Sequence, residues 1–251
     1  MKTRANHKSV PTLLAIGIAL IGVASRVQSA PVALQNASAT FSQTYSSDFS
    51  VGRAINGTFA ENLGWSAYEP LSASVSAQTA VFETTANVGF GGGSLLGFTL
   101  YQTHGIDFAK HTLGRFRLSV TTDDRSLFAD GLATGGDVTA NWTVLNPSAF
   151  TSANGATLSK LGDLSILASG ADPDMDIYTI TAPTALTGIT GIRFEALEDA
   201  SLPFNGPGRQ PSNGNFELSE FTVEITAIPE PGTLTILSVL IISIAVIRRK
   251  I

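Results

Sequence analysis

The stretch Gly114-Arg115-Phe116-Arg117-Leu118-Ser119-Val120-Thr121 alternates polar and apolar side chains. Phenylalanine, leucine and valine occupy every second position, with arginine, serine or threonine between them. Because successive side chains of a β-strand point to opposite faces, this spacing places the apolar residues together on one face. The stretch is therefore predicted to be a strand with one face buried in a core.

Similar stretches recur along the chain, with β-branched and aromatic residues that alternate or cluster. Strands are predicted at 79–85, 94–102, 115–122, 138–145, 176–182, 191–197 and 216–225. Glycine, proline and asparagine between them indicate turns and loops, at 89–93, 135–136, 154–155, 170–173 and 205–214. No persuasive helical period occurs outside the two chain ends. The pattern predicts one all-β domain over residues 30–227, an antiparallel β-sandwich or jelly roll.

Composition excludes several classes of function. The chain has no cysteine, so a disulfide framework, thiol catalysis and cysteine zinc sites are excluded. Residues 30–227 carry 19 acidic and 8 basic residues, a net charge of −11. Nucleic acid is therefore not an expected partner, because phosphate binding needs a basic surface.

The N-terminus has the pattern of an export signal. Lys2, Arg4 and Lys8 precede an apolar stretch at 13–24 that ends in small residues. We expect recognition by a secretion translocon and cleavage after Ser29. Residues 1–29 are thus predicted to be a signal peptide.

The C-terminus has three parts: Pro229-Glu230-Pro231-Gly232, an apolar run at 234–247, and the basic triplet Arg248-Arg249-Lys250. A helix over the apolar run exposes no charge to lipid, and the basic triplet would stay on the cytoplasmic side. At 1.5 Å per residue, residues 232–247 reach only about 24 Å, short of a hydrocarbon core of roughly 30 Å. The run is therefore predicted to be a transmembrane segment that is marginal as a permanent anchor.

This ending resembles the PEP-CTERM sorting signal of exported bacterial proteins, over residues 228–251. In that family a membrane-embedded exosortase, a cysteine-protease-like enzyme, reads the motif and cuts near it. The resemblance assigns Pro229, Glu230 and Pro231 to recognition by the exosortase. Two prolines favour an extended backbone that stays outside helices and sheets, as a protease substrate requires. The resemblance implies a transient stay in the inner membrane and then a place on the cell surface or in the extracellular matrix.

The region between the signals resembles discoidin-like, galactose-binding-like domains over nearly its whole length. The resemblance is carried by residues 39–43, 54–57, 64–65, 78–83, 114–121 and 218–221, and by the closing segment 206–218. It implies a β-sandwich, and it does not by itself define a function, because this fold serves carbohydrate binding, lipid binding and structural roles.

The same resemblance implies a structural calcium ion, the one cofactor considered. Carried over by position, its ligands are Asn56 and Glu220, and an amide at position 56 brings no charge, so the site would be weak. The alternative without a metal ion is that Asn56 belongs to a hydrogen-bonded turn and Glu220 is a carboxylate on an edge strand. Asp172, Asp174 and Asp176 alternate like the start of an EF-hand loop, but Ile177 and Pro183 occupy the positions that require glycine and glutamate. That segment is predicted to be a solvated acidic loop.

Catalytic motifs are lacking, so no enzymatic activity is expected. His104 and His111 flank a loop without a nucleophile elbow or a metal motif, and exposed loop histidines are the simpler interpretation. Both tryptophans, Trp65 and Trp142, are expected in the core.

The candidates for ligand binding are Tyr68, Phe204 and Arg209. The two aromatic residues are each near a proline in a predicted loop, and Arg209 can contact a hydroxyl or a carboxylate. Two classes of function follow for this body: a carbohydrate-binding module for exopolysaccharide, or a structural or adhesive matrix component without a small ligand. A polysaccharide-active enzyme is a third, weaker alternative.

Overall fold

The computed structural model describes residues 28–43, 49–59, 63–69, 72–104 and 109–229. The predicted signal peptide up to residue 27, and all of the sorting signal after Pro229, lie outside the described residues. Within these ranges, no helix is long and apolar enough to cross a membrane.

The described residues fold mainly into β-strands. In chain order these are β1 (Ala30–Val32), β2 (Leu34–Ala39), β3 (Trp65–Ser66), β4 (Gln78–Val88), β5 (Ser94–Gln102), β6 (Arg115–Thr121), β7 (Thr143–Val144), β8 (Ala149–Ser152), β9 (Ala156–Lys160), β10 (Ile166–Gly170), β11 (Asp176–Thr184), β12 (Ile189–Ala196), β13 (Glu217–Leu218) and β14 (Glu220–Ala227). Short 3-10 turns occur at Val51–Ile55, Arg125–Leu127 and Pro203–Asn205.

The strands form two large sheets and one small ribbon. One sheet has the order β1-β14-β5-β11-β8, and the other has the order β2-β4-β12-β6-β10-β9, with β7 also paired to β6. Strands β13 and β3 form the ribbon, and all of these pairings are antiparallel. The prediction of an all-β, antiparallel architecture is confirmed.

The core lies between the two sheets. Phe221 of the first sheet contacts Phe82 and Phe194 of the second, with ring centroids 5.4 and 5.8 Å apart. Along β5 the burial alternates residue by residue, as a two-faced strand requires. Trp65 is fully buried against Phe216 and Phe194, which confirms its predicted place in the core.

Two strand predictions need correction. The stretch 138–145 forms a strand only at Thr143–Val144, because Asn141 bonds through its backbone and side chain to Asp123 and holds the segment in a loop. Trp142 is accordingly half-buried against Phe128, outside the main core. The stretch 216–225 is interrupted at Ser219, where the chain passes from the ribbon into β14.

The register of the strands defines two ends of the sandwich. Ser94 is opposite Thr184 in β11 and Ala227 in β14, so the loops 88–94 and 184–189 and Ile228 lie at one end, called here the exit end. Gln102 is opposite Asp176, and Glu220 is opposite Tyr101, at the other end. This second end, called here the cleft end, holds the candidate functional residues.

Candidate functional site

Arg209 is held at the cleft end by backbone contacts of its own loop. Its N–H donates to the carbonyl of Thr112 at 2.8 Å, and Gly208 pairs with Leu113 in an isolated bridge. A side chain at position 208 would overlap the carbonyl of Asn215, so glycine lets the two segments approach. The loop that carries Arg209 is therefore fixed to the start of β6.

The guanidinium group of Arg209 is buried, with 7% of the residue exposed. Nη2 donates to the carbonyl of Gly170 at 3.0 Å, and Nε lies 3.7 Å from Oδ1 of Asp172. Among the described residues, Nη1 has no hydrogen-bond acceptor. A buried guanidinium with unused hydrogen-bonding capacity favours a ligand or water that accepts hydrogen bonds.

A cleft of about 290 Å³ opens beside this group. Its lining includes Gly170, Asp172, Ser201, Pro203, Arg209 and Pro211. Lys110 also reaches Asp172, with Nζ 3.6 Å from Oδ2, so two cations share one carboxylate. The domain as a whole is acidic, but here two positive groups surround one carboxylate. The cleft can therefore bind an uncharged or a negatively charged group.

Phe204 follows Pro203, which lines the cleft. It is 65% exposed, and both Phe204 and Asn205 have positive φ values of 55°. Positive φ is unfavourable for residues other than glycine, so the turn is a locally strained conformation. This conformation presents a flat aromatic face to solvent, which is the kind of surface on which sugar rings stack.

Tyr68 does not join this cleft. It is half-buried after β3, and its neighbours Ala67 and Glu69 line a separate cleft of about 370 Å³, together with Ser74 and Ser76. Of the three ligand candidates from the sequence, Arg209 lines this cleft, Phe204 follows the lining residue Pro203, and Tyr68 is in the lining of neither cleft.

Asn56 and Glu220 lie next to each other, as the implied calcium site requires. However, Oε2 of Glu220 accepts the N–H of Gly57 at 3.0 Å, and Oδ1 of Asn56 accepts the N–H of Thr58 at 2.8 Å. N–H donors directed at these oxygens compete with a cation. No group of three or more His, Asp or Glu side chains that could hold a metal occurs among the described residues. The geometry does not fit calcium as it stands, and the calcium site stays a prediction.

Glu220 is also not at a sheet edge. Strand β14 lies between β1 and β5, and the residue is buried. Burial raises the pKa of the Glu220 carboxyl to about 7, although hydrogen bonds from the backbone of Gly57, Thr58 and Asn56 oppose this change.

A second buried carboxyl, Glu217, was not singled out from the sequence. Oε2 accepts a hydrogen bond from Ser219 Oγ at 3.0 Å, and Oε1 has no partner among the described residues. Burial raises the pKa of the Glu217 carboxyl to about 8, and bonds from Ser219 and the backbone of His104 lower it only in part. The carboxyl is therefore mostly protonated at neutral pH. The Glu-x-Ser spacing of Glu217 and Ser219 gives no signal of this, because burial comes from packing against the ribbon partner β3.

His104 and His111 lie beside this region, with ring centroids 5.3 Å apart at a steep angle. The prediction that both are exposed loop residues is wrong for His104, which is buried and also contacts Phe49 edge to face. His111 is half-buried, and its carbonyl accepts the N–H of Glu217 at 2.8 Å. The two histidines therefore help to position the ribbon.

No protein-family profile matches the chain, and no curated protein matches it. Several solved structures are similar to it, among them the following two. The F5/8 type C domain of a Bacteroides fragilis protein is 13% identical, with a TM-score of 0.40, over 79% of this chain and 98% of that one. A structure of the Streptococcus pneumoniae β-galactosidase BgaA is 12% identical, with a TM-score of 0.46, over 79% of this chain and 99% of that one. Likenesses this weak carry no argument about function, and the discoidin-like family stays a prediction from the sequence.

Proposed function

We propose that this is an exported bacterial protein of the cell surface or extracellular matrix, and that its β-sandwich binds carbohydrate without catalysis. The proposal combines the export and sorting signals of the sequence with the cleft at Arg209. Its partners would be the secretion translocon, an exosortase and exopolysaccharide.

The observation that carries the proposed binding is the buried guanidinium group of Arg209, whose Nη1 has no acceptor among the described residues, in the wall of a cleft. The cleft also offers a carboxylate and the Ser201 hydroxyl, and the exposed Phe204 follows Pro203, which lines it. Sugars are recognised by stacking on a flat ring combined with hydrogen bonds to hydroxyl groups. The cleft volume of about 290 Å³ is at the small end of ligand sites, which suits one or two sugar units.

A structural or adhesive role without a small ligand is the second candidate. An enzyme is the third and weaker candidate. Turnover of any polysaccharide by the purified protein would revive it.

Affinity gel electrophoresis tests the proposed binding. Neutral and acidic polysaccharides are cast separately into native gels, and retardation of the protein is measured. We expect retardation in at least one gel. Unchanged mobility in every gel would favour the structural role.

A further inference from the structure

Two loops at the exit end of the sandwich are uncharged and partly apolar, whereas the loop after β6 carries Asp123, Asp124 and Arg125 and is joined to this end by the bond from Arg125 to Asn87. The loops 88–94 and 184–189 contain no charged residue, although residues 30–227 contain 27 of them. Phe90 and Ile228 are 41% and 38% exposed there, and Val88 and Leu186 pack beneath them at the edge of the core. Exposed apolar surface of this kind often marks a contact with a membrane or with another protein.

The C-terminal strand delivers the chain to this end and fixes it there. The N–H of Ile228 donates to the carbonyl of Gly93 at 3.0 Å, after β14 has ended at Ala227. The Ile228 side chain also lies in the space next to Gly93, because a Cβ there would be 3.4 Å from its Cδ1. The chain therefore leaves the domain directly after Ile228.

The N-terminal strand starts at the same end. Ala30 is opposite Ile225 in β14, and Ser29 Oγ donates to Glu224 at 2.7 Å. Both predicted membrane-associated signals, before Ser29 and after Pro229, are thus joined to one end of the domain.

The length of chain between the domain and the apolar run is short. Four residues lie between Pro229 and Leu234, and the five Cα-to-Cα steps of that fully extended segment cover at most about 17 Å. The polar layer on each side of a bilayer is roughly 5–8 Å thick. A domain attached to a run inserted at Leu234 cannot move far from the membrane surface.

We propose that the exit end is a lipid-contacting surface, in which Phe90 and Ile228 rest on the bilayer before the C-terminus is processed. The inference depends on the proposed export and C-terminal span. It adds an orientation, in which the Arg209 cleft at the opposite end faces away from the membrane. Because the loops 88–94 and 184–189 lack charge, their contact with lipid does not require anionic headgroups and should change little with salt on neutral vesicles.

The absence of cysteine makes a direct test possible. Phe90→Cys and Thr187→Cys place one thiol on each exit-end loop, and Phe204→Cys places one on an exposed phenylalanine at the cleft end. Each full-length variant is labelled with a fluorophore and reconstituted into phosphatidylcholine vesicles that contain a headgroup-located quencher lipid. Flotation of the vesicles first shows whether the protein is membrane-bound.

We expect the labels at positions 90 and 187 to be quenched several-fold more strongly than the label at 204, at low and high salt alike. Equal quenching at the three positions in protein that floats would overturn the orientation and leave the span intact. Protein that fails to float would reject the span itself, and the orientation with it. Unchanged melting curves of the variants show that the labels report on the native fold.

Discussion

The carboxyl group of Glu217 occupies the space that a side chain at position 64 would need. A Cβ built on Gly64 would overlap Oε1 of Glu217 and the carbonyl of Leu218. Gly64 precedes β3, and Glu217 belongs to its partner strand β13. The close approach of these two strands therefore depends on glycine at position 64. The contact buries an ionisable group beside Trp65, at the edge of the main core.

Gly64→Ala should therefore destabilise the protein by about 1–3 kcal/mol, the usual cost of overpacking. Urea unfolding followed by tryptophan fluorescence measures the change. Gly162→Ala is the matched control, because a Cβ at 162 has open space and the backbone there needs no positive φ. Equal effects of the two substitutions would contradict the close approach of Gly64 and Glu217.

Stability should fall as pH rises from about 5 to 8. The folded state keeps the Glu217 proton up to a pKa of about 8, whereas the unfolded chain loses it near 4.5. The stabilisation is complete below the unfolded pKa and is lost as pH rises through the folded one, by up to about 1.4 kcal/mol per pH unit. Glu220 adds a change of the same sign up to about pH 7.

Melting temperatures of Glu217→Gln, measured across this range, should show a shallower fall and exceed those of the wild type at pH 8. Glu224→Gln, on the exposed face of β14, serves as the control and should keep the wild-type slope. A slope that Glu217→Gln leaves unchanged would mean that this carboxyl is ionised in the folded protein.

The long central strands could be predicted from the sequence, because each has a regular buried face. The stretch predicted at 94–102 matches β5 from end to end, and 115–122 matches β6 within one residue. Strands β1, β2, β3, β8, β9 and β10 were missed. They are two to six residues long, too short for a regular buried face to stand out, and β1, β8 and β9 bury at most one side chain each.

Only part of the candidate site could be predicted. Arg209 and Phe204 were identified as polar and aromatic loop residues, but the cleft at Arg209 depends on Gly170 and Ser201, which come from distant segments. The burial of Glu217 and His104 was missed for a related reason. The burial results from the packing of loops at the cleft end. It could not be predicted because charged or titratable residues in turn-rich segments are usually exposed.

Calcium at millimolar concentration should leave the melting temperature unchanged. An ion at Asn56 and Glu220 would have to replace the hydrogen bonds from Thr58 and Gly57. Differential scanning fluorimetry with calcium and with a chelator measures this. A rise in melting temperature that is strengthened in Asn56→Asp and lost in Glu220→Gln would restore the calcium site, since an ion that binds only the folded state stabilises it.

Glu230→Ala should trap the exported chain in the membrane. The substitution removes the recognition motif for the exosortase and leaves the apolar run at 234–247 intact. Immunoblots of membrane and surface fractions measure the processed and unprocessed forms in the producing cell. Normal amounts of the shortened protein at the surface would show that Pro229-Glu230-Pro231 is not the sorting motif.

Whether the Arg209 cleft binds carbohydrate is tested most directly by equilibrium titration of the polysaccharide that retards the protein most. We expect Phe204→Ala to weaken binding about tenfold, the loss of roughly 1.4 kcal/mol of stacking, and Tyr68→Ala to leave it unchanged. Wild-type affinity in Phe204→Ala, or a loss of affinity in Tyr68→Ala alone, would contradict a binding site at Arg209.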